Sequence, residues 1–383
     1  MKDKVTIFDL KLIKIQFHQL KTTVMFIFAI EEGMEFVQWT LGVFYYLTIS
    51  LALVPFFLWV YKELTMGICK CKSSMHGKVI LITGGSNGIG LETAVDLARR
   101  GGQLIIGCRT IHNVAYKIQK RVPDAVVDVI GLDLSSKSSI RQFAEEVISK
   151  YEAIHVLINN AGMINSVDGP IERKETEDGF ELVMATNYLG HCFLNHLLLD
   201  LVKQGGNASN DCSRVILVSS IAIFGPEALD LCKMKNDGSY NVNFDLEIEE
   251  KDSRRQYSKT KLAQVMYASH LAKILKKETC NTLVACLHPG FVRTDIIDGV
   301  PKQAQGIFKI MSYILGKNAW QGAQTSINLA VGKFKYPMEE VNGRFFADCK
   351  SNPWFLVFSP DIIKDDLACK AVWNETMGVL GIL

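Results

Sequence analysis

The chain has 383 residues, a formal net charge of +2 and an isoelectric point near 8.0. That balance is too even for a nucleic-acid binder, and no basic block interleaved with aromatics occurs. Ten cysteines are scattered along the chain, with only Cys69 and Cys71 close together, which excludes a disulfide framework or paired zinc spacing and fits a reducing compartment.

Near the N-terminus, Val24 to Ile30 is apolar but too short to span a membrane, and Glu31 and Glu32 end it. Val37 to Tyr61 carries no charged residue. At about 1.5 Å per residue this stretch is long enough to cross a hydrocarbon core of about 30 Å. Trp39, Trp59 and Tyr61 lie near its ends, and Pro55 is a kink that membrane helices tolerate. The run starts too far from Met1 and is too long for a signal peptide, so it is predicted to be a transmembrane anchor. Lys62, Lys70, Lys72 and Lys78 follow it closely, while Lys21 alone lies at comparable distance before it, so the positive-inside rule places the C-terminal part in the cytosol. The sequons that start at Asn207 and Asn374 then stay unused. Cys69-Lys70-Cys71 is a candidate for lipidation, although such pairs more often carry no modification.

The stretch that organises the rest is Lys78 to Gly90, KVILITGGSNGIG. Val79 to Ile82 has the composition of a buried parallel strand, and the residues after Gly90 repeat their apolar positions with helical spacing. Strand, glycine turn and helix in this order suit a dinucleotide. Gly84, Gly88 and Gly90 permit a tight turn, close approach to a pyrophosphate and helix-on-strand packing, and the phosphates meet the positive end of the helix.

Gln103 to Cys108 is the second predicted strand. At its end stands Arg109, where an acidic residue would hold the ribose hydroxyls of NAD, so NADP(H) is the expected cofactor. Val126 to Gly131 is a third strand leading to Asp133 and Leu134, with Ser135, Ser136 and Ser138 competing to cap the next helix. Ile154 to Ile158 is a fourth, running into Asn159-Asn160-Ala161-Gly162, two amides and two small residues that let the chain pass close to a ligand. Asn187 lies inside a helical pattern that it disfavours unless its amide is used. His191, one turn further on, is expected to be a hydrogen-bonded packing residue rather than a base.

Arg214 to Ser220 is the fifth strand, with two serines at its ligand-binding edge. Beyond an insertion, Tyr257 and Lys261 stand four apart at the start of a long helical pattern and share a face. A tyrosine hydroxyl, with a pKa near 10, is a poor base at neutral pH, and a fixed ammonium one turn away is expected to favour the phenolate. Tyr257 then exchanges a proton with an alcohol or carbonyl as hydride moves, and Ser220 hydrogen-bonds the reacting oxygen.

TGGSNGIG, NNAG, Asn187, Ser220, YSKTK and, after a sixth strand, HPGFVRT occur in that order. The set resembles the short-chain dehydrogenase/reductase family over about residues 77 to 383, in its membrane-anchored retinol dehydrogenase-like branch. The fold implied is α/β, a Rossmann-type doubly wound parallel sheet. It forms a single catalytic domain (77–383) after an N-terminal segment (1–36), the transmembrane helix (37–61) and a basic linker (62–76).

The resemblance makes Asn187, Ser220, Tyr257 and Lys261 the catalytic tetrad, with Tyr257 as acid/base, Ser220 orienting the substrate oxygen, Lys261 on the nicotinamide ribose and Asn187 holding a relay water. It places Gly84, Gly85, Ser86, Asn87, Gly88, Ile89, Gly90, Asp133, Leu134, Asn160, Ala161 and Gly162 along the cofactor, and Pro289, Gly290 and Thr294 at the nicotinamide carboxamide. Residues 295 to 316 correspond to the substrate cap, while Gly343 to Ala347 reads as a closing strand and the tail as a helix. The Ser220 to Tyr257 interval is longer than the family's usual one, which bears on substrate shape. The expected activity interconverts a hydrophobic alcohol, retinol first, with its carbonyl at an internal membrane such as the endoplasmic reticulum; a steroid, prenol or fatty aldehyde is the alternative. A non-catalytic NADP(H)-binding scaffold and a membrane-structuring role are the readings from other classes. No metal is implied, and a homodimer is open.

Overall fold

The computed structural model describes residues 7–164, 175–207, 211–245, 253–293, 306, 312–313, 316–332, 341–351 and 361–382. The chain divides into two compact units, 1–64 and 65–383. The first is a single helix, α1, Ile7–Thr65. Val24 to Ile30 therefore continues into the same helix as the apolar run, and Val37–Thr65 is long and apolar enough to cross a membrane. Trp39, Phe44, Tyr45, Phe57 and Trp59 are exposed along it.

From Gly67 onward, the predicted basic linker is docked on the second unit. The Cys69 N–H donates to Gln324 Oε1 at 3.1 Å, the Arg100 guanidinium donates to the Cys71 carbonyl at 2.7 Å, and Met75 is buried.

The core of the second unit is an eight-stranded sheet. Its strands are β1 Val79–Thr83, β2 Gln103–Cys108, β3 Val127–Gly131, β4 Val156–Asn159, β5 Ser213–Val218, β8 Thr282–Leu287, β9 Phe345–Ala347 and β10 Lys350–Ser351, in the order β10-β9-β8-β5-β4-β1-β2-β3. All neighbours pair in parallel except β10 with β9. β4 and β5 are buried at every position, as strands covered on both faces must be.

Helices α2 Gly88–Arg99, α3 Val114–Gln119 and α8 Ala319–Val331 pack on one face. Helices α4 Lys137–Lys150, α6 Gly190–Asn207, α7 Ser253–Lys277 and α9 Asp366–Leu380 build the core on the other. The order reverses between β1 and β4, and at such a switch point the crevice outside the strand ends binds ligands.

The insertion after Ser220 is built, where it is described, from two short 3-10 helices, Ile221–Phe224 and Pro226–Leu231, and a hairpin of β6 Cys232–Met234 and β7 Tyr240–Val242. It is pinned to the C-terminal helix by the Tyr240 hydroxyl on Asp365 (2.5 Å) and to α7 by the Lys259–Asp245 ion pair (2.5 Å). Most of the predicted cap, residues 295 to 316, and Thr294 lie outside the described residues.

Candidate active site

The glycine turn joins β1 to α2. Gly84 and Gly88 have φ of +68° and +56°, values that favour glycine. A Cβ at Gly84 would sit 2.9 Å from the Ala161 Cα, and one at Gly90 would sit 2.3 Å from the Gly84 carbonyl and 2.5 Å from the Asn160 amide nitrogen. The turn and the Asn160-Ala161-Gly162 segment are thus packed backbone to backbone. Asn160 secures the contact by donating to the Thr83 and Gly84 carbonyls at 2.9 and 3.2 Å. At the mouth of α2, the Asn87 side chain makes no cap bond and instead accepts from Lys117 Nζ at 3.0 Å; that ammonium also donates to the Ser86 carbonyl at 3.2 Å. Uncapped N–H groups at a glycine-lined helix start suit a pyrophosphate.

Arg109 is exposed at the C-terminal end of β2. Asp133 follows β3, where its carboxylate accepts from the Ser135 N–H at 2.9 Å and the Ser135 hydroxyl at 2.6 Å. Ser136 is the residue that caps α4. The Leu134 side chain is buried in the core. Lys117 had no local pattern to mark it, because only the fold brings α3 beside the glycine turn.

A helical turn, α5 Leu182–Met184, leads into a π-helical turn, Ala185–Leu189, that carries Asn187. Such bulges open the regular ladder and free backbone groups for other partners. Here the Asn187 carbonyl accepts from Gln264 Nε2 at 2.8 Å and from His191 Nδ1 at 3.0 Å. Its carboxamide clamps Met163, accepting from the N–H and donating to the carbonyl, both at 2.8 Å. Those bonds lock the loop after β4 against the π turn.

His191 is fully buried and bonded on both ring nitrogens. Nδ1 faces a carbonyl and must carry the hydrogen, so Nε2 accepts from the Thr83 hydroxyl at 2.9 Å. The Thr83 oxygen in turn accepts from the Asn160 and Ala161 N–H groups, both at 3.0 Å. Burial, aided by the Lys261 charge, drives the imidazole pKa down to about 4, against the pull of the Asn187 carbonyl. As expected, His191 is a packing residue.

Ser219 and Ser220 divide their tasks at the end of β5. Ser219 is buried and donates to the Lys261 carbonyl at 2.8 Å, anchoring α7 to the sheet. Ser220 is half-buried, accepts from the Ala222 N–H at 3.2 Å, and lies near enough to the Tyr257 phenol to act on its pKa. The Lys261 ammonium lies 5.5 Å from the Tyr257 ring centroid and donates to the Val218 carbonyl at 2.9 Å. Gly162 borders this group, since a Cβ there would be 3.5 Å from Lys261 Nζ and 3.6 Å from Asn187 Oδ1.

One sequence expectation is corrected. Burial raises the Tyr257 pKa above its ordinary value, and the group that opposes the rise is Ser220, not Lys261. Burial also lowers the lysine to about 8, and its ammonium points at a carbonyl rather than at the phenol oxygen. In this structure Tyr257 keeps its proton at neutral pH. Pro289 and Gly290 follow β8, with Gly290 at φ +91°. Among the described residues, no group of three His, Cys, Asp or Glu could hold a metal ion.

Residues 78–229 match the family model for short chain dehydrogenase. The chain is 34% identical over 319 residues to retinol dehydrogenase 12 of Bos taurus, covering 82% of this chain and 90% of that protein. It is 34% identical over 324 residues to retinol dehydrogenase 14 of Mus musculus (81% and 87%) and 30% identical over 340 residues to retinol dehydrogenase 11 of Homo sapiens (87% and 96%). Among solved structures, the Pseudomonas aeruginosa RhlG/NADP active-site complex shares the fold with a TM-score of 0.52 at 23% identity, over 71% of this chain and 95% of that one. So does 3-oxoacyl-[acyl-carrier protein] reductase from Brucella melitensis in complex with NAD, with a TM-score of 0.52 at 21% identity over the same shares. With this fold, this order of motifs and relatives that match along most of their length, the chain belongs to the short-chain dehydrogenase/reductase family, in its retinol dehydrogenase-like branch.

Proposed function

We propose that the protein is an NADP(H)-dependent oxidoreductase that interconverts a hydrophobic alcohol, retinol first, with its carbonyl. The observation that carries this reading is the placing of Ser220 and Tyr257 close together, with Lys261 over the Tyr257 ring, at the strand edge that also holds the glycine turn.

The residues present fit a nicotinamide dinucleotide. Gly84, Gly88 and the uncapped start of α2 suit its pyrophosphate, and Asn160, Ala161 and Gly162 form the adjoining wall. A bound nicotinamide supplies the hydride chemistry. The protein's part is to place the substrate oxygen between Ser220 and Tyr257 and to move one proton. Because burial holds the Tyr257 proton, the phenol is in the form that donates to a carbonyl oxygen when the reaction runs toward the alcohol. Lys261, lowered to about 8, keeps a positive charge near neutral pH beside the phenolate that donation creates.

The phosphate preference rests on two cations. Arg109 ends β2 where NAD-specific sites place a carboxylate, and Lys117 stands over Ser86 and Asn87. Purified protein is expected to consume NADPH with all-trans-retinal at least ~10-fold faster than NADH at equal low concentration, a difference of about 1.4 kcal/mol. NADPH binding without turnover of retinal, steroid, prenol or fatty aldehydes would leave the scaffold reading standing instead.

The relatives' retinol dehydrogenase names and the long apolar helix support action at a membrane, for which we propose the endoplasmic reticulum with the catalytic unit in the cytosol. Expressed with microsomes, the chain is expected to show no mobility change on glycosidase treatment. A shift removed by Asn207→Gln or Asn374→Gln would reverse that topology.

A further inference from the structure

Five residues after β8, Pro289 to Arg293, are clasped by one distant residue. The Lys317 N–H donates to the Phe291 carbonyl at 2.7 Å, and the Arg293 N–H donates to the Lys317 carbonyl at 2.9 Å. The Lys317 side chain, 10% exposed, runs under the turn itself. Its ammonium donates to the Pro289 carbonyl at 3.2 Å and to Asp348 Oδ1 at 2.5 Å. A Cβ at Gly290 would stand 2.9 Å from Lys317 Cε, so the glycine is seated directly on the lysine stem.

The acidic partner is held in an unusual backbone. Asp348 and Cys349 are the two-residue connection between β9 and β10, with φ of +49° and +59°. Two consecutive left-handed residues at a two-residue hairpin favour Asn-Gly, and a cysteine at the second position is strained. Such strain persists where the side chains are used. Asp348 uses its carboxylate twice, for Lys317 and for the Gly67 N–H at 3.3 Å. A partly buried ion pair adds little net stability after desolvation, so stability alone accounts poorly for it.

We propose that Lys317 and Asp348 form a strut that sets the height of the Pro289–Val292 turn against the nicotinamide half of the cofactor. Both are positioning residues, and the inference rests on the nicotinamide reading above. The strut also joins the turn to Gly67, in the segment that follows α1.

The test uses the full-length chain in detergent, with NADPH binding read by fluorescence and steady-state kinetics read in parallel. Lys317→Met keeps the backbone clasp and removes the ammonium. It is expected to raise the NADPH Kd and KM at least ~10-fold, equivalent to about 1.4 kcal/mol, while kcat at saturating NADPH stays within about threefold. Asp348→Asn, which keeps the hairpin shape, is expected to raise Kd about threefold or more, and Lys317→Arg to return it to within threefold of wild type. The strut is overturned if folded Lys317→Met binds NADPH within twofold of wild type. It is equally overturned if kcat and affinity fall together and Lys317→Arg restores neither. Should Lys317→Met not fold, Asp348→Asn and Lys317→Arg decide by the same criteria. A wild-type chain that binds neither NADPH nor NADH removes the cofactor reading itself, an outcome distinct from failure of the strut alone.

Discussion

Tyr257→Phe is expected to lower kcat for retinal reduction by roughly 10²–10⁴-fold, with NADPH affinity and melting temperature close to wild type. The ring lies under the Lys261 ammonium, and a phenylalanine fills the same volume, so packing is retained. What is lost is the hydroxyl that lies by Ser220 and that burial keeps protonated. Without it, the oxyanion formed at the substrate has no side chain to protonate it. The check is single-turnover kinetics beside a binding titration. Full activity in the variant, or loss of binding in step with activity, would remove Tyr257 from the acid's role.

The second large effect is on stability in acid. His191 is buried between Thr83 and Asn187, and its pKa falls from an ordinary value near 6.5 to about 4 in the folded chain. Between those values the unfolded chain holds a proton that the folded chain does not, so stability is complete above pH 6.5 and declines as the pH falls toward 4. For this one group the loss amounts to about 3 kcal/mol at about 1.36 kcal/mol per pH unit. The loss is chemically local. A proton on Nε2 would confront a Thr83 oxygen whose lone pairs already take the Asn160 and Ala161 N–H groups. His288, lowered to about 4 by burial and the Lys317 charge, adds a slope of the same sign. Urea unfolding at a series of pH values measures the combined slope. In His191→Leu it should be shallower by one proton, and an unchanged slope would exclude His191 as a source.

Much of the fold could be read in the sequence because its signals are local. Val79–Thr83, Gln103–Cys108 and Thr282–Leu287 are short runs of β-branched and apolar residues, a composition that only a strand covered on both faces requires. The glycines at 84 and 88 announce a turn because other residues rarely take those angles. The four-residue spacing of Tyr257 and Lys261 places both on one face of a helix wherever that helix lies. These properties survive in any tertiary setting, so strand order aside, sequence sufficed for the α/β class and for the choice of Ser220, Tyr257 and Lys261 as candidates.

What tertiary structure alone decided are the partners of those groups. Spacing put an ammonium near a phenol, but only the packing of α7 on β5 turned it toward the Val218 carbonyl and left burial to govern the tyrosine. Lys117 meets the glycine turn, and Lys317 and Asp348 meet the Pro289 turn, through contacts between residues tens of positions apart. The physical reason is range. Backbone preference and periodicity act within a turn or two of chain, whereas desolvation and hydrogen-bond direction depend on whatever the completed fold brings alongside.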